Sequence, residues 1–128
     1  LAEAAGSIVS VVGASAITCF TSSGSTVRRV ARERPSAPIL ALTPRADTAR
    51  KLGLTWGVHA VQTKDIGNFE EMIGKARRMA LRHHMADKGG KIVVLAGVPF
   101  GTPGSTNVLH VAAIRGDELK GRDEKPTF

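Results

Sequence analysis

Five of the six residues in the run Thr21, Ser22, Ser23, Gly24, Ser25 and Thr26 carry hydroxyls, and the sixth is glycine. The run falls between a short apolar stretch, Ala16 to Phe20, and a segment whose Val27, Val30 and Ala31 share one helical face. Its position is therefore that of a strand-to-helix turn. Such a turn suits an oxyanion: a helix start offers unpaired N–H groups and a partial positive charge. Hydroxyls can rotate to donate, and Gly24 lets the backbone approach closely and take a positive φ. Serine and threonine also cap helices that bind nothing. The density of hydroxyls, followed at once by Arg28 and Arg29, is what points to anion binding.

A second loop has similar chemistry. Residues Gly97 to Asn107 follow the most strand-like run of the chain, Lys91 to Ala96, and include Gly101, Thr102, Gly104 and Ser105. Loops at the carboxyl ends of strands are where open α/β sheets place ligands. A wide hairpin connection would use the same glycines and prolines. Neither loop has the Gly-Lys-Ser/Thr ending of a nucleotide-binding P-loop, and no Gly-x-Gly-x-x-Gly follows the first strand-like run.

The remaining composition narrows the choice. The 128 residues carry 18 Lys and Arg against 11 Asp and Glu. Seven of those cations (Arg28, Arg29, Arg32, Arg34, Arg45, Arg50, Lys51) lie between positions 28 and 51. A local excess of this kind attracts phosphates, although a charged helix face can serve solubility alone. Aromatic side chains number only Trp56 and four Phe, too few to interleave with the cations as stacking platforms for nucleic acid. Cys19 is the single cysteine and lies in an apolar run, so it is expected to be buried and unbridged. His83 and His84 are adjacent and point to different helix faces, unlike a ligand pair at i, i+4; His59 and His110 fall in strand-like runs as packed or edge residues. No metal ligand set, nucleophile–base pair or carboxylate dyad is visible. With no apolar stretch of membrane-spanning length and no signal-peptide pattern, the chain is expected to be soluble and cytoplasmic.

The elements that position the loops follow from periodicity. Leu1, Ala4, Ala5, Ile8, Val11 and Val12 recur at helical spacing, weakened by Gly6 and Gly13. That helical start is expected of a segment cut from a longer chain. After the strand at 16–20 and the helix ended by Arg34-Pro35, Pro38 to Leu42 reads as a strand. Thr43-Pro44 reads as an N-cap and first helical residue of a helix ending near Gly53. Gly57 to Val61 is a third strand. Asn68 and Glu71 have capping-box spacing and open the longest helix, with Phe69, Met72, Ile73, Ala76 and Ala80 as its apolar face and Gly89-Gly90 as its end. Lys91 to Ala96 and Val108 to Ile114 are the last strands. They are joined without a helix and are therefore antiparallel. Alternating strands and helices predict an α/β fold. Residues 1–114 form the domain and 115–128 a charged, disordered tail.

The ordered set Thr21-Ser22-Ser23-Gly24-Ser25-Thr26, Val30-Ala31-Arg32, Arg34-Pro35 and Ala37-Pro38-Ile39-Leu40-Ala41-Leu42-Thr43 resembles the C-terminal domain of pyruvate kinases. Trp56-Gly57-Val58, Gly97-Val98-Pro99 and Gly104-Ser105-Thr106-Asn107 continue the resemblance in the same order, and it covers most of residues 3–114. It implies a three-layer α/β/α sandwich with a five-stranded mixed sheet in the order 3-2-1-4-5, the last strand antiparallel. It also implies that Thr21 to Thr26 grip the phosphate of an allosteric effector, with the loop holding Gly101, Thr102, Gly104 and Ser105 closing over it.

The complete enzymes transfer a phosphoryl group from phosphoenolpyruvate to ADP with Mg²⁺ and K⁺ in a separate barrel, usually as tetramers. This chain is then a regulatory fragment without a catalytic site or cofactor of its own. Its expected partners are a phosphorylated effector and other pyruvate kinase subunits and domains, not nucleic acid or membrane. Bisphosphate-responsive members carry a Trp and an Arg before the long helix, where this chain has Lys64 to Phe69. They carry Trp-Arg in the last loop where it has Val98-Pro99. Those departures favour a monophosphate effector. A subunit-interaction domain with a vestigial pocket is the competing expectation.

Overall fold

The computed structural model describes residues 1–96 and 108–115. Its elements are α1 (Ala2–Val12), β1 (Ala16–Phe20), α2 (Ser25–Arg32), β2 (Ile39–Thr43), α3 (Ala46–Leu52), β3 (Val58–Gln62), α4 (Phe69–Arg82), β4 (Lys91–Ala96) and β5 (Val108–Ala113). The strands form one sheet in the order β3-β2-β1-β4-β5. β1 is parallel to both β2 and β4, β2 is parallel to β3, and β4 and β5 are antiparallel.

Period-two alternation along the central strands divides the core between the two faces. Ile17, Cys19, Ile39, Ala41, Val93 and Leu95 pack beneath Ala5 and Val9 of α1, Val27 and Val30 of α2, and Leu52 of α3. Leu40, Leu42, Ile92, Val94 and Ala96 turn the other way, against Met72, Ile73, Ala76, Met79 and Ala80 of α4. These are the three layers implied by the resemblance. Cys19 is fully buried, and burial pushes its thiol up to about 12, so it packs as a small neutral hydrophobe.

Several element ends differ from the sequence reading, each for a local reason. In α1 the buried face is Ala5 and Val9, while Leu1 and Val11 are exposed. Gly13 ends that helix in the left-handed conformation at φ 68, its N–H bonded to Val9 O. Thr43 is not the cap of α3. Arg45 occupies that position, and the Thr43 hydroxyl, still inside β2, accepts from Arg45 N at 3.2 Å.

The α4 start is as expected, with Asn68 Oδ1 accepting from Glu71 N at 2.9 Å. Its end comes before Gly89-Gly90. His83 is the C-cap and His84 takes φ 59, with His84 N bonded to Leu81 O and Met85 N to Ala80 O. This is a Schellman motif closed by histidine instead of glycine. Phe69 is exposed and sits edge-on to His110, whereas Met79 joins the core.

Polar side chains also lie buried among the described residues, Lys75 and Thr18 among them. Lys75 is only 3% exposed; its ammonium donates to Lys64 O at 3.0 Å, and burial, then nearby Arg78, holds it below its ordinary value. Thr18, at the centre of β1, is fully buried and its hydroxyl has no hydrogen-bond partner among the described residues. A buried hydroxyl without a partner costs about 1–3 kcal/mol. Thr18→Val keeps the shape and removes that cost, so it should raise stability by about 1 kcal/mol in urea unfolding.

Candidate functional site

The strand order reverses at β1. From β1 the chain moves outward through β2 to β3, then returns across the other face to β4 on β1's far side. A crevice at the carboxyl ends of β1 and β4 follows from that reversal, and Thr21 is the first residue past β1. Cys19 is in register with Leu95, so β4 ends at Ala96 beside the start of the hydroxyl turn. Ala96 also pairs with Val108 of β5; both ends of the second loop are thus anchored at this edge. Gly101, Thr102, Gly104 and Ser105 themselves lie outside the described residues, as do residues 116–128 of the expected tail.

The turn is built on a rigid frame. Thr21 N donates to Leu42 O at 3.0 Å, extending the β1–β2 pairing. The Thr21 hydroxyl accepts from Gly24 N at 2.8 Å and closes the turn. Gly24 has φ 89, and a Cβ there would stand 3.1 Å from Leu52 Cδ2 and 3.4 Å from the Arg28 guanidinium. Both the backbone angle and the space require glycine. Thr48 of α3 reaches across 26 positions to donate its hydroxyl to Ser22 O at 2.8 Å.

The contacts of Ser23 and Ser25 are of a different quality. Ser25 N meets Ser23 Oγ at 3.3 Å, and the Ser23 and Ser25 hydroxyls are 3.2 Å apart. Both contacts are at the long end for hydrogen bonds and are exposed to solvent. An anion can displace them, because a hydrogen bond to a charged acceptor is roughly twice as strong as a neutral one. Arg28 leans over the same turn, its Nη1 donating to Ser23 O at 3.3 Å. Gly24, the N-cap of α2, has no side chain to close the helix start, and the first N–H of the helix, at Ser25, is met only at the long 3.3 Å distance by Ser23 Oγ, at the positive end of the helix dipole.

Thr26 is buried at 8% exposure and lines a hollow of about 410 Å³ between α1 and α2, with Arg29 and Arg32. Of the two arginines that follow the turn, the structure brings only Arg28 to it. Arg45 is held by Asp47 through two contacts of 3.2–3.3 Å. That hydrogen-bonded pairing raises the Arg45 guanidinium above its ordinary value and lowers the Asp47 carboxyl below its own. Sequence reading did not find Thr48, whose role depends on a contact between distant helices. Nor did it find the groove of about 440 Å³ lined by Arg28, Arg32, Arg34 and Trp56. There Arg34, at φ 51, holds its guanidinium 5.5 Å over the Trp56 ring.

Comparison with known proteins agrees with this architecture. The family described as "Pyruvate kinase, alpha/beta domain" matches residues 1–112. A pyruvate kinase of Methylorubrum extorquens is 44% identical over 114 residues, covering 89% of this chain and 24% of that protein. One from Agrobacterium vitis is 43% identical over 111 residues, covering 87% of the chain and 23% of that protein. One from Clostridium acetobutylicum is 43% identical over 101 residues, covering 79% and 21%. The chain belongs to the pyruvate kinase C-terminal, alpha/beta domain family, and it spans about a quarter of the length of these relatives.

The frame of the turn can be tested on its own. Gly24→Ala should cost about 1–3 kcal/mol of stability, through its positive φ and the close Leu52 contact. Thr48→Val should cost about 1 kcal/mol by removing the brace on Ser22. Both are read from chemical unfolding.

Proposed function

We propose that the chain is the regulatory domain of a pyruvate kinase, and that its turn at Thr21 to Thr26 binds the phosphate of a small-molecule effector. The parent enzyme transfers a phosphoryl group from phosphoenolpyruvate to ADP elsewhere, with the Mg²⁺ and K⁺ of that chemistry in its barrel. The observation that carries the reading is the contrast within the turn. A firm frame of 2.8 Å bonds from Gly24 N and Thr48 presents weak, exposed contacts at Ser23 and Ser25, with Arg28 alongside. Effector binding shifts the parent's quaternary equilibrium by its differential affinity for the two states. The residues Gly101, Thr102, Gly104 and Ser105 complete the pocket from the β4 side in this reading.

A monophosphate is favoured over a bisphosphate. The stretch before α4 is tied to that helix by the Lys75–Lys64 bond, with Ile66 buried, and it contains neither Trp nor Arg. Its one cation in the stretch, Lys64, gives a second phosphate little to engage.

A subunit-interaction role has its own support. Leu54 and Trp56 are 90% and 77% exposed beside the arginine-lined groove, a combination common in protein interfaces. In the full-length enzyme, Leu54→Ser with Trp56→Ser should weaken assembly and leave effector binding intact if that face is structural.

The effector reading is tested by thermal shift. AMP or ribose 5-phosphate should raise the unfolding midpoint of the chain, and fructose 1,6-bisphosphate should do so no better. Ser23→Asp and Ser25→Asp should abolish the response by placing a carboxylate against the phosphate, without burying a charge as Thr26→Asp would. A midpoint shift that survives both variants rules this turn out.

A further inference from the structure

His59 and His83 are 24 positions apart and meet in space. His59 Nε2 and His83 Nδ1 are 3.1 Å apart, with ring centroids at 4.9 Å and planes inclined by 55°. We propose that these two nitrogens form a site for a borderline divalent transition-metal ion of the Zn²⁺ or Ni²⁺ type, clasping β3 to the end of α4.

The spacing suits that role. Two imidazole nitrogens each about 2.0–2.1 Å from one ion, at angles between square and tetrahedral, stand about 2.8–3.4 Å apart. The observed separation lies inside that range before any side chain moves. Both ligands are delivered by fixed backbone. His59 is in register with Leu40 in the β2–β3 ladder, and with Val61 it lies on the α4 side of the sheet, opposite to Val58 and Ala60. His83 is the C-cap of α4, held by its bond to Met79 O and by the Schellman closure at His84 and Met85. An ion seated there also meets the negative end of the α4 dipole. Arg82, which precedes His83 in the chain, opposes it and keeps the affinity modest.

Among the described residues no three or more His, Cys, Asp or Glu side chains gather to hold a metal, so water completes the coordination. Oxygen-seeking Mg²⁺ has nothing to gain from two imidazoles, which sets the selectivity. Cys19, the one thiol in the chain, is buried and cannot compete.

The test uses the whole 128-residue chain and the metals alone. Zn²⁺ and Ni²⁺ in excess should raise its unfolding midpoint by about 3–5 °C, and Mg²⁺ should not. His59→Gln and His83→Gln, on different elements, should each lose the shift while His84→Gln keeps it. Paramagnetic Ni²⁺ should broaden the ring resonances of His59 and His83 before those of His84 and His110, a measurement that needs no variant to fold. No midpoint shift in the unaltered chain, an equal response to Mg²⁺, a shift retained in both variants, or broadening elsewhere first would overturn the site.

Discussion

Parallel pairing of β1 on both of its edges is the constraint on which the rest of the structure depends. A strand flanked by β2 and β4 and covered by helices on both faces must be apolar throughout, and Ala16, Ile17 and Cys19 are fully buried. Because the chain leaves β1 in one direction and returns to its other side, the turn after Phe20 opens where no crossover helix can cover it. The hydroxyl run is placed there by topology, whatever its own preferences. Thr18 is the exception on β1: a hydroxyl in the same dry environment with no partner among the described residues.

Rigidity and availability are opposed requirements in any small anion site, and the candidate turn divides firm contacts from loose ones by residue. Thr21, Gly24 and Thr48 are committed to the fold through short bonds and a backbone angle that admits only glycine without strain. Ser23 and Ser25 hold each other at distances where a hydrogen bond is weak. A side chain locked into the frame cannot reorient toward a ligand, and a free one loses rotamer entropy on binding. Donors held loosely by one another lose less, because they are already near the required positions.

The elements were legible in the sequence where local pattern and tertiary environment agreed. β1 and β4 have the bounds that apolar runs alone predict, and the Asn68 cap of α4 is where its spacing places it. Legibility failed where the deciding contact is distant or where an uncommon residue takes a common role. Histidine at a left-handed closing position hid the end of α4 behind the more conspicuous glycines at 89 and 90. Thr43 looked like a cap because Pro44 follows it, yet β2 pairs through Thr43, in register with Gln62, so its hydroxyl only braces the turn to Arg45. Of the candidate site, the strand-to-helix position of Thr21 to Ser25 could be read directly. The burial of Thr26 could not, since local pattern does not carry the tertiary packing around it.

Charge follows the same division between local and tertiary control. Arginines in and just after α2 look equivalent in the sequence, but each is assigned a different neighbour by the packing. Arg28 turns to the hydroxyl turn and Arg29 to the hollow beside α1, while Arg34 lies over Trp56. The histidine pair belongs to the opposite end of the sheet, where β3 begins and α4 ends. A clasp there acts on the outer strand without touching the turn, because the two sites share no side chain; β2 lies between them, as does α3, which packs on β3 and braces Ser22 through Thr48. An ion at one end and a phosphate at the other are therefore expected to act on stability nearly additively, as independent sites do. Any departure from additivity would measure how stiffly the sheet and α3 together connect them.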